Sequence, residues 1–277
     1  MDQRLPPGLY VVATPIGNLA DLSPRAAETL RGADRILAED KRVSAKLLAY
    51  AGAKAPMSTY HDHSSEAERD AIVARLGSEA IALISDAGTP LISDPGYKLV
   101  RAARAAGHRV CTLPGPSAAI AALTLAALPT DRFLFVGFLP AKAKARGDAI
   151  AEIAGVRATL VLYESGPRLG ATLAALADGL GVRNAAIARE ISKLHEECVT
   201  GTLAELAERY SATAPKGEIV VVVGPPSAEA ASEAELDSAL DEALARLSPS
   251  RAAAEVAERL GVPKKRAYAR ALQLAAK

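Results

Sequence analysis

The chain has 277 residues, half of them hydrophobic, which is enough for one large or two medium domains with a sizeable core. Its formal net charge of +1 excludes a global electrostatic attraction to nucleic acid, so any basic contact surface has to be local. The two cysteines, Cys111 and Cys198, form no zinc-binding spacing, which indicates a reducing, cytoplasmic location. Because there is no apolar signal region and no run of about 18 apolar residues, we expect no membrane partner.

Short apolar runs alternate with helical patterns through the first half of the chain. The predicted strands are 9–13, Arg35–Ala38, 57–60, the run that begins at Ala82, and 109–113. Helices are predicted to start at Ser23-Pro24, to end near Tyr50, and to cover 66–76 and 97–106. Strands that alternate with helices of about ten residues indicate a parallel sheet with helices on both faces. We assign this pattern to a first α/β domain, residues 1–116.

The second half repeats the alternation with a different strand arrangement. Its predicted strands are Phe133–Phe138, 159–163, Asn184–Arg189, 197–200 and Glu218–Val223, after a helix over 118–127. Two strands lie close together near Arg189, which favours a mixed sheet in a second α/β domain, 117–226. An acidic, proline-bearing linker from 225 to about 235 then precedes three predicted helices, 236–247, 250–260 and 264–276. We assign 236–277 to a small helical domain.

One loop stands out because it is long for a strand-to-helix connection. Residues 86–94 follow the buried run at Ala82 and include Asp86, Gly88 and Thr89. Open α/β sheets bind small ligands at the carboxyl ends of their strands, and glycines let the backbone approach a ligand closely. The loop therefore indicates a ligand site, although two ordinary turns would use the same residue types.

A series of segments along the chain resembles, in order and spacing, the ribosomal RNA small subunit methyltransferase I family. The segments are 13–19, Ala38-Glu39-Asp40 followed by Arg42, 85–96, 114–118, Tyr163-Glu164-Ser165 before Arg168, 188–190 with Lys193, and 201–203. The resemblance covers about residues 8–224, and the tail also fits the small helical domain of that family. Lys41 departs from it, since threonine is expected there. Only Gly17 remains of the glycine-rich turn found in the similar tetrapyrrole methylases, and a lone glycine argues against a dinucleotide site.

The resemblance implies an α/β fold of the tetrapyrrole methylase-like type, among the class III methyltransferases. It implies S-adenosylmethionine as the cofactor and 2′-O-methylation of a cytidine of 16S rRNA as the reaction. The expected substrate is helix 44, at the decoding centre of the 30S ribosomal subunit. A homodimer is expected as well.

The resemblance also implies a cofactor pocket that both α/β domains close. The cofactor-binding residues expected from it are Pro15, Gly17, Asp86, Ala87, Gly88, Thr89, Ser117, Ala118, Tyr163, Glu164, Ser165 and Gly217. Alternatively, Asp86 only caps a turn, and Ser117 only serves as the N-cap residue at the start of a helix. No metal site is predicted, and we interpret His61 and His63 as substrate-facing or loop residues because no third ligand is evident.

Methylation of a hydroxyl requires that its proton leaves, with help from a base or a nearby cation. Candidates at predicted strand ends are Glu39, Asp40, Arg42, Arg189, Glu190 and Lys193. Our hypothesis is that Asp40 or Lys193 assists the hydroxyl, while Arg42 and Arg189 hold phosphates. Ordinary surface ion pairs would explain each of these residues as well.

Two other functions stay open at the level of sequence. One is a tetrapyrrole C-methyltransferase, and the other is a non-catalytic module that binds RNA or the ribosome. The helical tail resembles a helix-turn-helix in outline, and its basic residues either meet rRNA phosphates or form a solvated helix face. These residues are Lys264, Lys265, Arg266 and Arg270, and the segment 142–146 is a second basic candidate.

Overall fold

The computed structural model describes residues 5–61, 63–226, 233–260, 262 and 264–275. The chain forms two compact units, Met1–Pro225 and Pro226–Lys277. Within the described ranges, no helix is both long and apolar enough to cross a membrane.

The first half of the larger unit is a five-stranded parallel sheet flanked by helices. Its strands are β1 (Gly8–Val12), β2 (Arg35–Ala38), β3 (Met57–Thr59), β4 (Ala80–Leu83) and β5 (Val110–Leu113). Its helices are α1 (Pro24–Gly32), α2 (Lys41–Ala51), α3 (Glu66–Arg75) and α4 (Tyr97–Ala105). The strand order is β3-β2-β4-β1-β5, and every pairing is parallel, which confirms the predicted sheet.

Local sequence explains where these elements begin and why the centre is apolar. Ser23 caps α1 by accepting a hydrogen bond from the Ala26 N–H at 3.1 Å, and Pro24 occupies the first turn as predicted. β1 and β4 are buried at every position because helices cover both faces of a parallel sheet. The carboxyl ends of these two central strands therefore open into loops at one edge of the sheet.

The second half of the larger unit contains a mixed sheet. Its strands are β6 (Phe133–Phe138), β7 (Thr159–Ser165), β8 (Asn184–Arg189), β9 (Glu197–Thr202) and β10 (Glu218–Val223). Its helices are α5 (Ala118–Leu125), α6 (Ala143–Ile153), α7 (Gly166–Leu180) and α8 (Leu203–Arg209). The order is β6-β7-β10-β8-β9, and only the β6–β7 pair among these is parallel. The predicted mixed sheet is confirmed, while the proposed domain boundary at residue 116 stays a prediction.

The sequence patterns do not predict two helices of this half. The basic segment 142–146 forms the start of α6 and is followed by seven further helical residues, to Ile153. α7 begins at Gly166 with Pro167 in its first turn, and this pair reads as a turn in sequence. Proline is favoured in a first helical turn, where its missing N–H has no partner to lose, so the same residues start a helix here.

The smaller unit is a three-helix cluster. α9 (Glu233–Leu244), α10 (Pro249–Leu260) and α11 (Lys264–Ala275) pack around Leu240, Val256 and Ala267. α9 starts three residues before the predicted position 236, and residues 227–232 of the predicted linker lie outside the described residues. The Arg270 guanidinium donates to both Asp237 oxygens at 2.5 Å, which joins α11 to α9.

The start of α7 provides a test of how tightly the second half is packed. An added Cβ on Gly166 would lie only 1.8 Å from the Pro215 carbonyl oxygen. We expect Gly166→Ala to lower the free energy of unfolding by about 1–3 kcal/mol, because the segment before β10 must move away. Urea denaturation followed by circular dichroism measures this change.

Gly147→Ala is the matched control, because an added Cβ in this exposed turn of α6 meets nothing within 4 Å. Alanine is the better helix former, so this variant should be as stable as the parent or up to about 1 kcal/mol more stable. Equal stability of the parent and Gly166→Ala would contradict the packing described for α7.

Candidate functional site

A cavity of about 340 Å³ lies where loops from the parallel sheet face the ends of β7 and β10. The loops after β1 and β4 and the start of α5 contribute Ile16, Ala87, Gly88, Thr89, Asp94, Ser117 and Ala118 to its walls, and the ends of β7 and β10 contribute Tyr163, Glu164, Ser165, Gly217 and Ile219. We call it the cofactor cavity because it gathers most of the residues expected to bind the cofactor. Pro15, Gly17 and Asp86 are the expected cofactor residues that do not line it.

The loop after β4 forms one wall of the cavity and is fastened on both sides. Thr14 and Gly88 exchange two backbone hydrogen bonds, with N–O distances of 2.8 and 3.1 Å. The Thr89 hydroxyl donates to the Pro116 carbonyl oxygen at 2.9 Å. The loop is therefore held against the turn after β1 and against the segment after β5.

Backbone strain is concentrated in the same loop. Leu91 and Ser93 have φ angles of +74° and +62°, in the left-handed region that side chains disfavour. Gly96 has a φ of +133°, and an added Cβ there would lie 2.8 Å from Leu83 Cδ2. Strain of about 1–3 kcal/mol for each such residue persists only where surrounding structure imposes it, and it clusters at ligand sites.

Asp94 places an unusual carboxyl group in the cavity wall. Burial and the neighbouring carboxylates of Glu39 and Asp86 together raise the pKa of Asp94 to about 6, although a hydrogen bond from Ser85 lowers it. Burial and like charges both disfavour the ionised form. A cation bound beside Asp94 would favour the ionised form.

Tyr163 and Ser117 meet across the cavity. Ser117 precedes the first residue of α5, but its hydroxyl makes no capping hydrogen bond to that helix. Its side chain therefore does not serve as the helix cap that was considered as an alternative role. Burial raises the pKa of Tyr163, although hydrogen bonds from the Ala119 N–H and the Ser117 hydroxyl oppose the shift. The Tyr163 ring packs edge-on against Phe135 and Phe138, with centroid distances of 5.0 and 5.6 Å. The Tyr163 ring is thus held by hydrogen bonds at its hydroxyl and by the two phenylalanine rings at its edge.

The Glu164 carboxylate is occupied by protein partners. It accepts hydrogen bonds from the Thr172 hydroxyl at 2.6 Å and from the Ser165 N–H at 2.8 Å, and it lies 3.3 Å from Arg168 Nε. This buried charge therefore stabilises the junction of β7 and α7.

An open groove of about 230 Å³ adjoins the cofactor cavity. Both depressions are lined by Ile16, Ala87 and Glu218, so they share a wall. The remaining groove residues include Pro15, Gly17, Val43, Lys46, Asp86 and Lys193. Asp86 Oδ1 accepts a hydrogen bond from the Asp40 N–H at 3.1 Å, which ties the loop after β4 to the start of α2.

Lys193 is held as a cation at the groove. Its ammonium donates to Glu190 at 2.9 Å and to Glu218 at 3.0 Å, while its stem lies against Gly17. Burial lowers the pKa of Lys193, but the two carboxylates outweigh burial, so the pKa lies above its usual value. Lys193 can therefore stabilise negative charge, and it is a poor proton acceptor.

The other candidates for catalysis lie outside both depressions. Asp40 caps α2 by accepting from the Arg42 N–H at 2.7 Å, and this bond holds the pKa of Asp40 below its usual range. Arg189 donates to Glu197 at 3.0 Å and to the Lys216 carbonyl oxygen at 3.1 Å. Glu39 lines neither the cavity nor the groove, although its charge acts on Asp94.

Sequence reasoning missed several residues that the structure brings to the site. Asp94 lies in the loop 86–94, which the sequence predicts to be a ligand site. It is the second carboxylate of that loop after Asp86, and this repetition of acidic residues indicates a ligand-binding role. Lys46 and Phe138 belong to no recognisable motif, so nothing in the sequence indicates that they line the site. Asp62, between His61 and His63, lies outside the described residues, and the described part of the chain contains no cluster of three or more metal-ligating side chains.

Two protein-family models match the chain. The model described as Tetrapyrrole (Corrin/Porphyrin) Methylases matches residues 8–207, and the RsmI C-terminal HTH domain matches residues 230–275. Solved structures share the fold. A diphthine synthase has a TM-score of 0.62 at 16% identity, covering 78% of this chain and 89% of its own. A uroporphyrin-III C-methyltransferase from Thermus thermophilus complexed with S-adenyl homocysteine has a TM-score of 0.54 at 22% identity, covering 78% and 97%.

Curated relatives named ribosomal RNA small subunit methyltransferase I are similar over nearly the whole length. The protein from Mesorhizobium japonicum is 50% identical over 98% of this chain and 93% of its own. The protein from Erythrobacter litoralis is 52% identical, covering 98% and 97% of the two chains. The protein from Escherichia coli O157:H7 is 44% identical, covering 96% and 94%. These matches confirm the resemblance, and the chain belongs to the ribosomal RNA small subunit methyltransferase I family of S-adenosylmethionine-dependent methyltransferases.

Proposed function

We propose that this chain 2′-O-methylates a cytidine ribose of 16S rRNA, in helix 44 of the 30S subunit, with S-adenosylmethionine as the methyl donor. The observation that carries the proposal is the shared wall between a cavity and a more open groove that is lined by Lys46 and Lys193. Such a pair of sites suits a small donor beside a large polymeric acceptor. Membership of the rRNA methyltransferase family supports rRNA as that polymer.

The residues of the cofactor cavity fit the proposed donor. S-adenosylmethionine supplies an activated methyl group on a positively charged sulfur. The carboxylates of Glu164 and Glu218 already bind protein partners, which leaves Asp94 as the wall residue whose ionised form a cation would favour. The backbone at Gly88 and the small side chain of Ala118 leave room for close approach of an adenosyl group.

Catalysis in this proposal rests mainly on orientation. Holding two reactants in a productive geometry contributes about 7–11 kcal/mol in well-oriented systems. Lys193, fixed by Glu190 and Glu218 at the groove, would stabilise negative charge that develops on the acceptor oxygen. As the methyl group passes to that oxygen and the sulfur becomes neutral, the hydroxyl proton would leave to solvent. Asp40 stays the other candidate for assisting the hydroxyl, although its carboxylate caps α2 and the lowered pKa makes it a weaker base.

We also propose a homodimer in the bacterial cytoplasm. Phe133 and Leu134 support the dimer, since they are exposed on β6 at the edge of the mixed sheet. Sedimentation equilibrium of the intact chain tests the oligomeric state.

Methyl incorporation tests the proposed reaction. We expect the purified protein to transfer tritium from methyl-labelled S-adenosylmethionine to 30S subunits that lack the modification. Mass mapping of the 16S rRNA should then show one added methyl on a cytidine ribose of helix 44.

Uroporphyrinogen is the control substrate and should take up no label. Labelling of uroporphyrinogen in place of rRNA would contradict the proposal and favour a tetrapyrrole methyltransferase. Binding to 30S subunits without any transfer would favour a non-catalytic module.

The raised pKa of Asp94 predicts a pH dependence of cofactor binding. Asp94 is neutral below its pKa of about 6 and ionised above it, and a positively charged sulfur binds the ionised form better. Affinity for S-adenosylmethionine should therefore rise from about pH 5 to about pH 7, whereas S-adenosylhomocysteine, with a neutral sulfur, should show a smaller rise. Calorimetry at several pH values measures both.

Asp94→Asn should flatten this profile and weaken S-adenosylmethionine binding about tenfold at neutral pH, which is about 1.4 kcal/mol. Asp178→Asn, at an exposed position of α7, is the matched control and should keep the parent profile. An unchanged pH profile in Asp94→Asn would rule out this role of Asp94.

A further inference from the structure

We propose that the groove beside the cofactor cavity binds the ribose-phosphate backbone of a segment of the acceptor RNA that is unpaired where it meets the protein, with Lys46 as its phosphate contact and Tyr50 as a stacking surface for a neighbouring base. The proposal rests on the proposed methyltransferase function and adds to it the surface that receives the acceptor strand. Neither residue belongs to the segments through which the chain resembles its family.

Because the groove and the cofactor cavity adjoin each other, their shared wall determines where the acceptor ribose must lie. The groove and the cofactor cavity meet at Ile16 and Ala87. A ribose whose hydroxyl faces the donor at this wall lies in the groove, and its flanking phosphates lie along the groove sides. A cation beside the shared wall would therefore contact one of these phosphates.

The charges that line the groove differ in whether they are already neutralised. Lys193 is bound by Glu190 and Glu218, and Asp86 accepts from the Asp40 N–H. Lys46, in contrast, makes no hydrogen bond or ion pair with any residue that the structure describes. Its ammonium is the groove cation available to an incoming phosphate.

α2 extends this contact along one helix face. Arg42, Lys46 and Tyr50 are spaced four residues apart, so their side chains follow one another on the same face over about 12 Å. The Arg42 side chain is 92% exposed and pairs only with Asp40, while Tyr50 is 57% exposed. Two cations followed by an exposed aromatic ring match the recognition of single-stranded RNA, in which phosphates meet cations and bases stack on rings.

The same face distinguishes RNA from a protein partner. Val43, at the groove, is 51% exposed and lies among other apolar groove residues, while the exposed face of α2 beside it carries Arg42 and Lys46 and no acidic residue. A protein docking site would present a larger apolar centre with charges at its rim. Charge complementarity therefore favours a polyanion.

Single-turnover methylation of unmodified 30S subunits tests the proposal. Lys46→Ala should raise the subunit concentration for half-maximal rate about tenfold and leave the affinity for S-adenosylmethionine unchanged by calorimetry. The slope of log affinity against log salt should fall in magnitude by about 0.7, the value for one lost phosphate contact on a single strand. Tyr50→Ala should also raise the half-maximal concentration, about tenfold, whereas Tyr50→Phe should match the parent.

Lys54→Ala is the matched control, since this exposed lysine follows the end of α2 and lines neither depression. It should leave the half-maximal concentration unchanged. The proposal is overturned if Lys46→Ala behaves as Lys54→Ala does while the parent methylates the subunits. Failure of the parent itself to methylate 30S subunits would instead overturn the proposed function.

Discussion

The site depends on the backbone pairing between Thr14 and Gly88. These two hydrogen bonds hold the turn after β1 against the loop after β4, and the Thr89 hydroxyl extends the attachment to Pro116. Because three loops are joined in this way, the surrounding structure holds the left-handed backbone at Leu91 and Ser93. The same attachment places Ile16 and Ala87 side by side, and these residues separate the cavity from the groove.

Charge pairing then decides which side chains remain available to ligands. Glu164 is satisfied by Thr172 and Ser165, and Lys193 is satisfied by Glu190 and Glu218. The two depressions therefore differ in character, since the cavity presents the carboxyl of Asp94 and the groove presents the ammonium of Lys46. A cationic donor and an anionic acceptor strand would each meet the complementary charge, and the fixed Lys193 would lie between them.

Much of the architecture was predictable because it is encoded locally. The Ser23-Pro24 start of α1, the apolar strands of the parallel sheet and the long loop after β4 all follow from short-range patterns. The site was only partly predictable, because charge partners come from distant segments. Nothing near Lys193 in sequence indicates Glu218, and nothing near Arg189 indicates the Lys216 carbonyl oxygen. Asp40 suggested a base from its motif, yet its carboxylate serves as a helix cap.

In the proposed mechanism, the donor occupies the cavity and presents its reactive end to the groove. A crystal structure of the protein with S-adenosylhomocysteine tests this arrangement most directly. We predict density for the ligand between Gly88, Ala118 and Ile219, with its sulfur directed to the shared wall at Ile16 and Ala87. Density in the groove itself, or a sulfur directed away from that wall, would contradict it.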